Sequence, residues 1–111
     1  MCFNTSKLAR AKIAKEDIEC WKALNEINGE LRSMCTDYQY IKGKINPVIK
    51  IEKVHNYYFY EIREGYHSCR TVIEAESWGC GSVVHKFIIP KGTRYYSNRT
   101  EYVSETIILV G

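Results

Sequence analysis

Two groups of side chains in this sequence have the types and spacing that could do chemistry. The first is His67-Ser68-Cys69, followed by Cys80 and His85. Imidazole nitrogen and thiolate sulfur are the ligands that zinc prefers, so two histidines and two cysteines could form a tetrahedral site. Common zinc modules place paired ligands at a short regular spacing on both sides of the metal, and these residues do not follow it. We therefore expect no metal site, and we interpret these residues as a helix flanked by polar turns and packed thiols.

Cys69 also suggests a thiol nucleophile, because His67 is near it and a predicted helix begins just after it. A catalytic cysteine needs a lowered thiol pKa and a base within reach. No orienting Asn or Asp and no glycine-rich oxyanion loop accompanies this pair. The motifs GxxxxGK[ST], GxGxxG, HExxH and GxSxG are also absent. The sequence predicts no catalytic residue and no cofactor.

The second group combines aromatic and basic residues, in Tyr57-Tyr58-Phe59-Tyr60 and in Arg94-Tyr95-Tyr96 with Arg99. Such combinations stack bases and neutralise phosphates. In the alternative interpretation, alternate tyrosines fill a small core and the others cover its rim. Because strand side chains alternate, each adjacent tyrosine pair puts one ring on each face. The predicted ligand- or partner-binding residues are Tyr57, Tyr58, His67, Arg94, Tyr95, Tyr96 and Arg99.

Composition limits the class of protein. The 111 residues are 45% hydrophobic and 26% charged, as in ordinary globular proteins, and their length suits a single domain, 1–111. Nine tyrosines favour β-strands. The net charge of +3 suits an anionic partner but is below that of dedicated nucleic-acid binders, so nucleic acid is not favoured.

The N-terminus and the cysteines point to the compartment. Residues 1–12 lack the apolar core of a secretion signal and read as a loose arm, and no stretch is long enough to span a membrane. The five cysteines are an odd number without repeated spacing. We therefore predict a cytoplasmic protein with reduced thiols and no membrane partner.

The first half of the chain predicts mainly strands. Apolar residues alternate over residues 18–24, which indicates a half-buried strand with Trp21 on its outer face. Asn28-Gly29 is a strong turn signal. Residues 38–44 read as a short edge element, 48–53 as a short strand or an extended segment, and 55–62 as a strand or a packed loop. In the strand at residues 18–24, the core-facing side chains are then Ile18, Cys20 and Leu24. The alternation also allows Lys22 on this face.

The second half predicts one helix between a turn and two strands. Residues 64–69 read as a compact turn, and residues 70–79 have helical period, with Thr71 or Ser68 as the cap and Glu74 completing a capping box. Gly79 and Gly81 would end this helix. Its apolar stripe would contain Val72, Ile73, Ala75 and Trp78.

The last quarter of the chain, residues 83–110, holds two apolar runs separated by Pro90, a Lys91-Gly92 turn and a polar link. This pattern predicts a C-terminal strand pair, with Phe87, Ile89, Ile107 and Leu109 in the core. The predicted fold class is α+β: a small, mainly antiparallel β domain with one short helix, about 70–79, and the C-terminal strand pair.

Several of these motifs carry a family resemblance. Gly65-Tyr66-His67-Ser68, the helix after it, the run from Phe87 through Ile-Pro-Lys-Gly and the opening IAKEDIECWKAL resemble a family of small proteins of gut bacteria, their phages and mobile elements. The resemblance covers most of the chain and implies a fold but no activity. A more distant likeness is to ADP-ribosyltransferase-like folds. Here Trp21-Lys22 replaces the His or Arg expected to hold the cofactor, and the late glutamate would be Glu101 or Glu105.

These observations lead to one functional expectation and one alternative. We expect a non-catalytic binding protein of a phage or mobile element, acting as an inhibitor of the counter-defence type. It would bind a host protein or sequester a small anionic nucleotide-like ligand. The alternative is an enzyme, either an ADP-ribosyltransferase relative or a Cys69/His67 thiol enzyme. A homodimer stays open, because aromatic-rich sheets with edge strands can dimerise.

Overall fold

The fold is described from a computed structural model, which covers residues 3–33, 38–55, 59–77 and 83–111. The predicted binding residues Tyr57 and Tyr58 lie outside these ranges, as do Cys80 and the predicted helix end at Gly79 and Gly81.

The described residues form mostly antiparallel strands with a single short helix, so the mainly antiparallel β architecture is confirmed. The helix is α1 (Val72–Glu76). The strands are β1 (Phe3–Thr5), β2 (Lys12–Ile13), β3 (Ile18–Ile27), β4 (Glu30–Ser33), β5 (Gln39–Tyr40), β6 (Val54–His55), β7 (Tyr60–Ile62), β8 (Tyr66–Cys69), β9 (Val83–Ile89), β10 (Arg94–Ser97), β11 (Glu101–Ser104) and β12 (Ile108–Leu109).

A large sheet organises the molecule around β3. Its strand order is β12-β9-β3-β8-β11-β10-β2, with β4 and then β5 added at the far end of β3. A smaller sheet has the order β1-β7-β6. The hairpin between β3 and β4 turns at Asn28 and Gly29, whose φ angles are +53° and +80°. Positive φ at both central residues matches the tight turn that Asn-Gly predicts, so this prediction is confirmed.

The large sheet buries side chains on both of its faces. What we call the first face carries Cys20, Leu24, Tyr66 and Phe87, which pack in one apolar cluster. The second face carries Val103 and Tyr96, which pack with three buried residues outside the large sheet. Those three residues are Phe3, Ile51 and Ile62. The predicted core residues Phe87, Ile89, Ile107 and Leu109 are all buried, as expected.

The N-terminal residues do not form the loose arm that the sequence suggests. In β1, Phe3 pairs with Ile62 of β7, and its side chain is fully buried. Lys12 and Ile13 pair with β10. Because basic and small residues surround Phe3 in the sequence, the apolar pattern of this segment does not indicate that one large ring anchors it. Only the folded structure shows where the Phe3 ring packs.

Residues 64–69 were expected to form a turn, and this prediction is wrong for most of them. Tyr66–Cys69 form β8, an interior strand between β3 and β11 that is buried along its whole length. A strand covered on both faces needs no alternation of polar and apolar residues, and its sequence Tyr-His-Ser-Cys gives none. The hydropathy pattern therefore offers no strand signal here.

The helix is shorter than predicted, and its buried face differs from the predicted one. Thr71 is the N-cap, and its Oγ1 accepts a hydrogen bond from the Glu74 backbone N–H at 3.2 Å, which confirms the capping residue. Of the predicted apolar stripe, Ala75 is buried as expected, whereas Ile73 is 78% exposed, so its assignment to the stripe is wrong. Trp78 lies outside the described residues. No helix in the described ranges has the length and hydropathy needed to cross a membrane.

Residues 83–110 contain four strands where the sequence suggests two. The Lys91-Gly92 turn leads from β9 into β10, which pairs with β11 and β2 rather than with β9. The two apolar runs do meet, because β12 pairs with β9 through Ile108–Ile88 and Leu109–Phe87. The polar link between them forms a strand pair of its own, so the predicted C-terminal pair is not confirmed in its simple form.

Gly65 precedes β8 and lies where any larger side chain would meet the core. Its φ is +118°, and a Cβ there would lie 2.7 Å from Ile51 Cγ2 and 2.9 Å from Val103 Cγ2. We expect Gly65→Ala to lower the free energy of unfolding by about 2–4 kcal/mol, because it adds backbone strain and a core clash. Urea denaturation measures this change.

The matched control is Gly92→Ala. Gly92 also has positive φ, +90°, but nothing lies within 4 Å of a Cβ built there. This variant should lose only about 1 kcal/mol, from backbone strain alone. Equal losses in the two variants would contradict the close packing at Gly65.

Candidate ligand-binding face

Side-chain alternation along β10 divides the predicted binding residues between the two faces. Tyr96 is the cross-strand partner of Val103 and belongs to the second-face cluster. Tyr95 is the partner of Ser104 and packs against the first-face cluster. The structure therefore does not bring these two neighbouring tyrosines together.

Arg94 and Tyr96 are engaged within the fold. The Arg94 guanidinium donates from Nη1 to the Ile51 carbonyl at 2.9 Å and to Glu105 Oε2 at 3.3 Å. Its Cζ lies 5.9 Å from the centroid of the Tyr96 ring, which is itself buried. These contacts tie β10 to the segment before β6 and give both side chains a structural role.

His67 is buried on the second face. Its Nε2 lies 3.2 Å from the Arg63 carbonyl, and its Nδ1 has no hydrogen-bond partner among the described residues. Burial lowers the pKa of His67 to about 4, against an ordinary value of 6.5. The imidazole is therefore neutral at physiological pH.

Cys69 shares the second face with His67, but its thiol is not activated. Burial, assisted by the nearby Glu101 carboxylate, raises the Cys69 pKa to about 11. Burial likewise raises the pKa of Glu101, which is the cross-strand partner of Cys69. A thiol in this state carries almost no thiolate at neutral pH. The protonated Cys69 thiol and the neutral His67 imidazole thus favour a structural role for these residues over the thiol-enzyme alternative.

Metal binding finds no support within the described ranges. No group of three or more His, Cys, Asp or Glu side chains there is placed to hold an ion. Cys80, one of the four candidate ligands considered from the sequence, lies outside those ranges.

The first face carries a pair of tyrosines near the β10 end of the large sheet. The rings of Tyr95 and Tyr102 lie edge to face, with centroids 6.0 Å apart and an interplanar angle of 71°. Both rings are half-buried against the apolar cluster, so each leaves part of its surface in solvent. No hydrogen bond joins either hydroxyl to the described part of the chain. The pair offers partly exposed aromatic surface and two hydroxyls at the β10 end of the first face.

Arg70 lies over this tyrosine pair in a fixed orientation. Its Cζ is 4.8 Å from the Tyr102 centroid, within the range of a cation–π contact. Its backbone N–H donates to the Thr100 carbonyl at 2.9 Å, and its side-chain Nε donates to the Asn98 carbonyl at 2.7 Å. The Nη groups are not used by the described residues, so the outer edge of the guanidinium can take a ligand.

Two further cations border the tyrosine pair. Lys12 is the cross-strand partner of Tyr95, and Ala14, two residues along, is buried in the first-face cluster, which places the Lys12 side chain on the same face. Arg99 is exposed and lies between the Asn98 and Thr100 carbonyls that Arg70 contacts. Within the described ranges, no ion pair involves Lys12, Arg70 or Arg99. We call this set the tyrosine–arginine face: Lys12, Arg70, Tyr95, Arg99 and Tyr102.

Of the residues predicted from sequence, Tyr95 and Arg99 belong to this face, whereas His67, Arg94 and Tyr96 lie elsewhere. Sequence reasoning missed Lys12, Arg70 and Tyr102, and Lys12 was assigned to the loose N-terminal arm. Arg70 was taken as the start of the helix, and Tyr102 as part of a polar link. Tyr102 and Ser104 are two residues apart, as residues on one face of a strand are, and this spacing was the available signal for a strand. Their pairing with β8 is not visible in the sequence.

No family model matches the chain, and neither a curated protein nor a solved structure matches it. The resemblance to small proteins of gut bacteria, phages and mobile elements therefore stays a prediction, and so does the likeness to ADP-ribosyltransferase-like folds.

His67 makes the stability of the protein depend on pH. Its pKa is about 4 in the folded state against 6.5 for an ordinary histidine, so below about pH 6.5 the unfolded chain binds the proton first. The stabilisation is complete above pH 6.5 and is lost as pH falls towards 4. Between about pH 7.5 and 5 this loss amounts to about 2 kcal/mol.

Urea denaturation at the two pH values measures the effect, and His67→Gln should remove about 2 kcal/mol of the difference. His55→Gln, at an exposed position, is the control and should retain the wild-type difference. NMR titration of the His67 ring in the unmodified protein provides a readout without mutation. A midpoint above pH 6 would contradict the buried neutral imidazole.

Proposed function

We propose that this protein is a non-catalytic binding protein that sequesters a small anionic, nucleotide-like ligand on the tyrosine–arginine face. The observation that carries the proposal is the coincidence of two half-exposed aromatic rings with Arg70 and Lys12 on one face, beside the turn that carries the exposed Arg99. Aromatic rings stack on nucleobases, and Lys and Arg neutralise phosphate charge. This combination is what recognition of a nucleotide needs.

The chemistry of the second face supports binding over catalysis. The neutral His67 imidazole and the protonated Cys69 thiol are buried there, so neither is prepared to attack or deprotonate a substrate. Sequestration requires only affinity, which a rigid sheet surface with oriented donors provides.

The biological setting that we propose follows from the sequence resemblance. A small protein of a phage or mobile element that withdraws a nucleotide signal would act as an inhibitor of the counter-defence type.

Isothermal titration calorimetry with two ligand series tests the proposal. The series are the four ribonucleoside 5′-monophosphates and the four 3′,5′-cyclic monophosphates, each added up to about 1 mM, which detects even weak binding. We expect at least one member to bind. Tyr102→Ala should weaken that binding about 10-fold or more, because one base–aromatic stack contributes about 1–3 kcal/mol.

Tyr60→Ala, in β7 of the smaller sheet, is the matched control and should bind as the wild type does. Circular dichroism and urea denaturation establish that both variants are folded. Absence of binding in both ligand series, or an equal loss in the Tyr60 control, would contradict a nucleotide site on this face.

A second candidate function is the binding of a host protein, and a separate apolar groove favours it. The groove has a volume of about 600 Å³ and lies between α1 and β9, beside Trp21. Two of its apolar lining residues present surface to solvent, since Val83 is 56% exposed and Val72 is 39% exposed. The groove is lined by Trp21, Val72, Glu76, Val83, Val84, Lys86 and Gly111.

Affinity capture from host extract tests this second candidate. If a host protein binds here, it should be retained by the wild type and reduced about 10-fold or more by Val83→Asp, since a charge in an apolar contact is costly. Ile41→Asp, at an exposed site on another part of the chain, should retain the same protein. A captured protein that both variants keep would show that the groove is not its binding surface.

A further inference from the structure

We infer that the ligand of the tyrosine–arginine face carries a terminal phosphate monoester, and that Arg70 is the residue that recognises it. This inference rests on the proposed function, and it adds the chemical class of the ligand and the position of its charged group. Three features of the face carry it. They are the contacts that hold Arg70, the presence of a second arginine, Arg99, in the turn that Arg70 contacts, and the order of the side chains across the sheet.

Arg70 is positioned before any ligand arrives. The Nε–H bond to the Asn98 carbonyl and the contact of Cζ with the Tyr102 ring hold the guanidinium over that ring. With Nε occupied on one side, the two Nη groups present a planar fork to solvent. Such a fork donates two parallel hydrogen bonds to two oxygens of one phosphate, and a lysine cannot reproduce that geometry.

The charge at this end of the face suits a phosphate of charge greater than one. Arg99 lies in the turn whose two carbonyls contact Arg70, so the backbone of a second, exposed arginine lies at the same corner of the molecule. A phosphate monoester carries about −1.5 to −2 at neutral pH and has three terminal oxygens. A cyclic diester has one negative charge and leaves one of the two cations uncompensated.

The order of strands places the rest of the ligand. From β8 through β11 and β10 to β2, the side chains on the first face run from Arg70 to Tyr102, Tyr95 and then Lys12. A phosphate held at Arg70 therefore directs the attached nucleoside over the tyrosine pair. The two tyrosine hydroxyls are then available to the edge of the base, and Lys12 closes the opposite end.

The same contacts could serve only to hold the turn at residues 98–100, and Arg70→Lys separates the two roles. Lysine keeps the positive charge near Tyr102 but loses the two-oxygen fork. A purely structural Arg70 would change the stability of the turn without changing which phosphate esters the protein prefers.

The first experiment needs no mutation. Calorimetry compares, for the best-binding base, the nucleoside 5′-monophosphate, the 3′,5′-cyclic monophosphate and the nucleoside without phosphate. We expect the monophosphate to bind about 10-fold or more tightly than the cyclic form, and the nucleoside to bind most weakly. Equal affinity for the monophosphate and the cyclic form would overturn the inference.

Substitution of Arg70 provides the second measurement. Arg70→Lys should weaken monophosphate binding about 10-fold or more while changing nucleoside binding by less than about 2-fold. Arg63→Lys, at an exposed arginine paired with Glu61 in the loop before β8, is the matched control and should leave both affinities unchanged. Unaltered monophosphate binding in the Arg70 variant would also overturn the inference.

The pH dependence of binding gives a third readout. Affinity for the monophosphate should fall below about pH 6, where the dianion takes up a proton to become the monoanion, and affinity for the cyclic form should stay constant. The titratable group in contact with the guanidinium is Tyr102, and burial raises its pKa, so it does not ionise in this range. A flat profile for the monophosphate would contradict recognition of a dianion.

These outcomes are distinguishable from failure of the proposed function. If no nucleotide of either series binds, the proposed function fails. If nucleotides bind through Tyr102 but the cyclic forms bind as tightly as the monophosphates, the proposed function stands and the assignment of a terminal phosphate to Arg70 fails.

Discussion

The pairing of β8 between β3 and β11 is the constraint on which the rest of the structure depends. Side chains alternate along each strand, so the register of this interior strand decides the face of every neighbouring residue. Trp21 pairs with Cys69, and Cys69 pairs with Glu101, which places all three on the second face. A shift of one residue would exchange the contents of the two faces.

On the second face, this register buries polar side chains, and the fold lowers the energetic cost of burying them. Polar residues of β8 are carried into the interior, where an ionised group without a partner is expensive. The chain responds by keeping His67 neutral and the Cys69 thiol protonated. The Lys22 ammonium, buried on the first face between Cys20 and Leu24, donates across the strand to the His67 carbonyl at 2.7 Å. These residues look reactive in the sequence, and burial makes them part of the scaffold.

On the first face, the same register places side chains where part of their surface stays in solvent. The row of side chains that alternates with the buried polar groups brings Tyr102 under Arg70 and leaves their outer surfaces open. The proposed binding site therefore lies at the β10 end of the first face, beside the apolar cluster that the same face buries. Packing of the two tyrosine rings against that cluster orients them, which lowers the entropy lost on binding a ligand.

The sequence by itself determined the features that depend on neighbouring residues. The Asn28-Gly29 turn follows from the positive φ that these residues tolerate, the helix cap from the reach of the Thr71 hydroxyl, and the core role of Phe87 from apolar patterning. Only the tertiary structure decided that Tyr66–Cys69 form a strand, and that Arg70 meets the turn at residues 98–100. Local conformation is encoded in short-range sterics and hydrogen bonds, whereas pairing between residues thirty positions apart depends on how the whole core is filled.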